Sequence, residues 1–187
     1  MNVALDAGHG LKDGHPTGAC GSGLVEDNMA LAITNKLRWY LLRAGIEVTL
    51  TRPTLSFVPL SVRGGLAKAT RCDMFISVHI NAASDPDANG AEVIVAESDT
   101  RSAPLAGKLL DTLVKCGLKR RGVKWDSRSR HSRLKVLRDT YRSMPAVLIE
   151  IGFITNPADA AKLRDQKWVE QTAAALAQTI AHSANGT

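Results

Sequence analysis

Apolar residues along this chain follow two rhythms. Short continuous runs at Val3–Leu5, Ile46–Leu50, Met74–Ile80, Ala91–Ala96, Lys135–Leu137 and Val147–Ile151 have the length and character of strands. Between them lie longer stretches in which apolar residues recur every three or four positions, as in a helix with one buried face. The first, Leu24–Ala44, carries Met29, Ile33, Leu37, Tyr40 and Leu41 on one stripe and stops at Gly45. Others cover Leu60–Ala69, Pro104–Cys116, Pro157–Arg164 and Trp168–His182. Asn156-Pro157 marks a helix start, because the Asn side chain can accept from free backbone N–H groups and proline suits the first helical position. Strands alternating with helices predict an α/β fold, a twisted and mostly parallel sheet of about six strands flanked by helices on both faces. At 187 residues the chain has the size of one domain, so residues 1–187 are expected to form a single unit.

Composition narrows the class without naming a function. With 44% hydrophobic and 22% charged residues the chain falls among ordinary globular proteins, which excludes disordered, collagen-like and membrane-embedded classes. Cys20, Cys72 and Cys116 are too few and too far apart for a disulfide framework or a paired-cysteine metal site. No apolar run approaches the roughly 18 residues of a spanning helix. The opening Met1-Asn2-Val3-Ala4-Leu5-Asp6 lacks the charged-then-apolar pattern of a secretory leader, so synthesis in the cytoplasm without a signal peptide is expected.

Charge adds one local feature. The net charge of +6 is concentrated in Lys119–Lys135, where eight Lys and Arg face the single acid Asp126, and the remainder is close to neutral. Such a patch predicts an anionic partner: nucleic acid, lipid headgroups or an acidic envelope polymer. Trp125 is the patch's one aromatic residue, too little for base stacking, so no nucleic acid is expected.

Candidate chemistry comes from polar residues set against the apolar pattern. The stretch Gly8–Gly23 holds six of the fifteen glycines and reads as a tightly folded loop. His9 lies in it directly after the first strand, at the carboxyl edge where open parallel sheets build their sites. His79 ends the run Met74-Phe75-Ile76-Ser77-Val78 at the same edge. Alone, the first could be a turn residue and the second a hydrogen-bonded core histidine. Glu26 precedes Met29 by three residues and Ile33 by seven, which puts a carboxylate in line with the apolar stripe; Asp27 is expected to face outward. Glu26 could simply complement the helix dipole. Glu150 interrupts Val147-Leu148-Ile149-Glu150-Ile151, a strand apolar on both faces, where a carboxylate must be paired, protonated or near a cation. A structural salt bridge is the alternative there.

Two histidines and two carboxylates at one sheet edge match a catalytic zinc site of the His₂Glu kind with a free base. Three protein ligands leave a fourth position for water, whose pKa the metal lowers to about 7. His15 is a rival ligand with no strand to fix it, and His131 and His182 are expected to face solvent.

The ordered motifs Leu5-Asp6-Ala7-Gly8-His9-Gly10, Gly23-Leu24-Val25-Glu26, Leu50-Thr51-Arg52, Phe75-Ile76-Ser77-Val78-His79-Ile80-Asn81, Gly90-Ala91-Glu92, Arg121-Gly122-Val123-Lys124 and Pro145-Ala146-Val147-Leu148-Ile149-Glu150-Ile151-Gly152-Phe153 resemble those of the zinc-dependent N-acetylmuramoyl-L-alanine amidases. That family includes cell-separation amidases and several phage endolysins, and the resemblance covers nearly the whole chain. It implies one zinc ion on His9, Glu26 and His79, a catalytic Glu150, and Asn81 at the substrate. It also implies peptidoglycan as the partner, cut at the amide between N-acetylmuramic acid and L-alanine.

The chain departs from the family pattern at Ala7, where proline is usual, at Leu11, where a glycine often follows, and at Ile80, where the residue is usually small. No ligand is lost. Some relatives insert an inhibitory helix over the zinc; the span Gly90–Glu150 is filled by core elements and the basic segment, so no such plug is expected. Without a leader pattern the expectation is a phage or prophage endolysin that reaches the wall once the membrane is permeabilised, with Lys119–Lys135 meeting anionic envelope polymers; a monomer is also expected. A trimmed secreted enzyme, a nucleic-acid binder, an inactive wall-binding relative and a zinc peptidase on a similar sheet are the rival readings.

Overall fold

A computed structural model describes residues 1–129 and 132–185. The first strand, β1 (Asn2–Ala7), is followed by two small hairpins, β2 (Leu11–Lys12) with β3 (His15–Pro16) and β4 (Cys20–Gly21) with β5 (Leu24–Val25). Then come α1 (Glu26–Arg43), β6 (Glu47–Leu50), α2 (Leu60–Ala69), β7 (Met74–Asn81), β8 (Ala91–Val95) and α3 (Ala103–Lys115). After β9 (Arg120–Trp125) and a 3₁₀ turn at Asp126–Arg128, the chain forms α4 (Lys135–Thr140), β10 (Ala146–Phe153), α5 (Pro157–Arg164) and α6 (Gln166–Asn185).

Six strands form one sheet in the order β6-β1-β7-β10-β8-β9. All neighbours run parallel except β10 and β8, so the expected mostly parallel α/β sheet is present. Two cores flank it. One face packs Val3, Leu5, Ile76, Val78, Val93, Val147 and Ile149 under α1, α3 and α6. The other packs Ala4, Phe75, Ile94, Ala146 and Leu148 against the shorter pair α2 and α4, which covers only part of the sheet and leaves its carboxyl edge open. No helix among the described residues is long and apolar enough to cross a membrane.

Most predicted elements are present within a residue or two, and Asn156 caps α5 by accepting from the N–H groups of Ala158 and Asp159. One prediction is wrong. Lys135–Leu137 is the start of α4, not a strand; Val136 and Leu137 are buried on the open face, Thr140 one turn on bonds back to the Val136 carbonyl, and the packing partner is α2. The sixth strand is instead β9, whose Arg-Arg-Gly-Val-Lys-Trp hides strand character because an edge strand needs few apolar residues. Pairing has consequences for the basic segment as well: Arg120 meets Asp111, Arg121 and Lys124 meet Glu92, and Lys135 meets Asp139. Arg130 and His131, also in that segment, lie outside the described residues.

Candidate metal centre and catalytic cleft

Three elements deliver the site. β1 ends at Ala7 and throws His9 into the loop at φ 62°, a left-handed conformation that a side-chain-bearing residue adopts at a cost. α1 begins at Glu26, and β7 carries His79 near its carboxyl end. Their donor atoms all lie within 4.8 Å of one another. Glu26 Oε1 is 3.2 Å from His9 Nε2 and 3.1 Å from His79 Nδ1, and the two imidazoles meet edge-on with centroids 4.9 Å apart.

The carboxylate is held from behind. Ala19 N–H donates to Glu26 Oε2 at 2.9 Å and Ile80 N–H donates to Oε1 at 3.1 Å. Burial alone would raise the Glu26 pKa, but its bonds to His79 and His9 outweigh that and hold the carboxyl far below the usual range. Burial likewise works to lower the His9 pKa, and Glu26 beside it, with Asp27 further off, raises it instead. Two imidazole nitrogens and a fixed anionic oxygen converging on one point are a donor set that suits a divalent metal ion of the zinc type.

Asp27 contradicts its expected outward orientation. It is fully buried: Oδ1 accepts from Gly10 N at 2.8 Å and Thr17 N at 3.1 Å, and Oδ2 from Gly18 N at 2.8 Å. Helical phase alone placed it at the surface, whereas the glycine-rich loop folds over that side of α1 and turns its amides inward. Gly18 is needed for this, since a Cβ there would lie 2.9 Å from His9 Cγ and 3.0 Å from Glu26 Cβ.

Two arginines, both with no solvent exposure, brace the same loop. Arg52 donates to the carbonyls of Ala7, Gly8 and Asp27 at 2.8, 2.8 and 2.9 Å. Arg63 donates to the carbonyls of Ala7 and His9 and to Asp6 Oδ1, while Ser77 Oγ donates to Asp6 Oδ2 at 2.6 Å. Asp6 and Arg52 stood out in the sequence only as parts of motifs, and Arg63 not at all. The signal was there: Asp6 interrupts the apolar Val3-Ala4-Leu5, and Arg63 falls on the same face of its helix as Ala67.

Glu150 sits beside His79 in the β10–β7 register, one strand away from the triad. Its Oε2 is sealed from solvent and has no hydrogen-bond partner among the described residues, although the residue as a whole is only half-buried. Desolvation, aided by Glu26 and Glu92 nearby, raises its pKa well above the ordinary carboxylate value. Asn81 Nδ2 donates to Glu92 Oε1 at 3.0 Å and its Oδ1 accepts from Ala82 N at 2.8 Å, so the amide is fixed in orientation.

His9, Glu26, His79, Asn81, Glu92 and Glu150 all line one cleft of about 740 Å³ on the open sheet face. Phe57 and Leu60, before and at the start of α2, with Leu134 and Val136 at the start of α4, add apolar wall. His15 is exposed in the β2–β3 hairpin and His182 is exposed on α6, so neither joins the site. All three cysteines are free.

The fold and site have relatives. A family model described as N-acetylmuramoyl-L-alanine amidase matches residues 3–182. The chain is 38% identical over 186 residues to the endolysin of Bacillus phage SPP1, a match covering 98% of this chain and 66% of that protein. It is 32% identical over 180 residues to the N-acetylmuramoyl-L-alanine amidase LytC of Bacillus subtilis (strain 168), covering 93% of this chain and 34% of that one. Against the structure of the catalytic domain of CwlV, an N-acetylmuramoyl-L-alanine amidase from Bacillus (Paenibacillus) polymyxa var. colistinus, the TM-score is 0.87 at 29% identity, covering 100% of this chain and 99% of that one. The chain thus spans less than two thirds of those two longer relatives and nearly all of the solved catalytic domain. Because the matched span runs through every element that carries a site residue, from β1 to β10, the chain belongs to the N-acetylmuramoyl-L-alanine amidase family.

Proposed function

We propose that residues 1–187 form a catalytic domain that hydrolyses the amide between the lactyl group of N-acetylmuramic acid and L-alanine in peptidoglycan, with one zinc ion on His9, Glu26 and His79. The observation that carries this is the separation of roles in one cleft: three converging donor groups, and one strand away a carboxyl on Glu150 whose Oε2 is sealed and, among the described residues, unpartnered. Zinc, when bound, supplies a Lewis acid for the amide carbonyl and makes water acidic enough to attack near neutral pH.

The chain's residues do the rest. Glu26 and the two imidazoles fix the ion's place, because the Ala19 and Ile80 amides prevent the carboxylate from turning. Glu150 accepts a proton from the attacking water and returns it to the leaving nitrogen as the C–N bond breaks, which yields a lactyl carboxylate and a free L-alanine amine. Its raised pKa suits both halves of that transfer, since a strongly acidic carboxyl would not hold the proton between them. Asn81, locked by Glu92, presents its edge to the substrate beside Glu150.

Similarity to a phage endolysin supports an endolysin setting, in which the chain meets the wall after the membrane is permeabilised. Mass analysis of peptidoglycan digested by the zinc-loaded protein tests the reaction. New lactyl-muramic ends with free L-alanine amines are expected; cleavage within the stem peptide or the glycan would remove the proposal.

A further inference from the structure

The triad and Glu150 leave without a role two cations, Arg121 and Lys124, that gather on Glu92, a residue of the cleft wall. Glu92 pairs with Glu150 across the antiparallel β10–β8 ladder and is only 7% exposed. Its Oε2 accepts from both Arg121 Nε at 3.0 Å and Lys124 Nζ at 2.6 Å, while Oε1 holds Asn81. Burial works to raise the Glu92 pKa, and the two cations override it, so the carboxylate is charged and the group carries a net positive charge. One cation would neutralise Glu92; the second is surplus to that purpose.

The cations are also positioned. Register shifts between Ala91↔Arg120 and Glu92↔Gly122, which leaves Arg121 as the extra residue of a bulge, a device that re-aims a side chain. Its guanidinium lies 4.7 Å over the Phe153 ring and donates to the Asn89 carbonyl. Both side chains nevertheless keep about a third of their surface exposed, 32% for Arg121 and 31% for Lys124, so further N–H groups remain open to a ligand.

We propose that Arg121 and Lys124, held by Glu92, form a subsite for a free carboxylate on the stem-peptide residue that follows L-alanine. This rests on the amidase reading of the cleft. Spacing agrees with it: β9 lies two strand widths from Glu150, about 10 Å, and both cationic heads lean back to Glu92 in the middle of that interval. An extended peptide advances roughly 3.3 Å per residue, which brings the carboxylate of the next residue about 6–7 Å from the scissile bond. Guanidinium and ammonium groups together hold a carboxylate by charge-assisted hydrogen bonds.

Calorimetric binding of two synthetic peptides to the metal-loaded protein tests this without requiring turnover. One is L-alanyl-γ-D-glutamyl-L-lysine with a free α-carboxylate, and the other is its D-isoglutamine counterpart, in which that carboxylate is an amide. The parent chain should prefer the carboxylate by roughly three- to tenfold, the scale of a partly exposed charge pair. Lys124→Met and Arg121→Gln should each bring the preference to within about twofold, and Lys124→Arg should restore it. Equal affinity for both peptides in the parent, no binding of either, or a uniform loss on both peptides in the variants would overturn the subsite. A carboxylate preference in a chain that releases no L-alanine ends from peptidoglycan would keep the subsite and remove the amidase reading.

Discussion

The His9–Glu26–His79 triad and Glu150 lie one strand apart and are built in opposite ways. Every part of the triad is tied down: Glu26 by two backbone amides, the His9 loop by Arg52, Arg63 and Asp27, and β7 at Ser77 through Asp6. Glu150 has a bare, sealed Oε2. In the proposed roles, a metal-binding carboxylate must be ionised and held in one orientation, which its neighbours secure; a general base must be able to take and lose a proton, which their absence favours. Burial is common to both regions, and what the burial is lined with decides the chemistry.

The largest effect should come from cutting the triad itself. Glu26→Ala removes the oxygen on which both imidazoles converge, and metal content measured by plasma spectrometry should fall toward zero together with turnover. Retention of stoichiometric metal would separate the triad from the ion. Next is the brace: Arg63→Met leaves Asp6 without its cation, and denaturant unfolding should show a loss of about 3–5 kcal/mol. Asp27→Asn keeps the shape but weakens three amide bonds to the loop, and metal affinity should drop by roughly 10- to 100-fold with the fold retained.

Acid–base behaviour sharpens the same contrast at smaller scale. Glu150 must be ionised to accept a proton, so activity should fall as pH drops through a value above the ordinary carboxylate range, and kcat/KM against pH reads that limb. In the metal-free chain the two carboxyls act on stability with opposite sign. The folded state favours neutral Glu150, so its contribution is present at low pH and lost as pH rises through the raised pKa. It favours ionised Glu26, so that contribution is present above the unfolded pKa and lost as pH falls. Glu150→Gln should abolish the first slope and leave the second. The smallest effect is His15→Ala in the exposed hairpin, expected within about 0.5 kcal/mol and with metal content unchanged.

Much of this was legible in the sequence because the site lies on regular elements. Strand ends fixed His79 and Glu150, and helical phase gave Glu26 its inward direction. Phase failed one residue later, at Asp27, because the partner that buries it is a loop, and loops leave no periodic trace. The part played by Arg52 and Arg63 became visible only when the fold surrounded them with carbonyl groups. The edge strand β9 was hidden by its charges, two of which, on Arg121 and Lys124, Glu92 gathers beside the cleft.

The central claim, that metal binding and proton transfer belong to different residues of one cleft, is tested most directly by measuring zinc content and peptidoglycan turnover together in Glu150→Gln. The account predicts one zinc per chain with turnover lowered roughly 10²- to 10⁴-fold, the usual scale of general acid–base catalysis. Near-parent turnover, or loss of the metal along with activity, would contradict it.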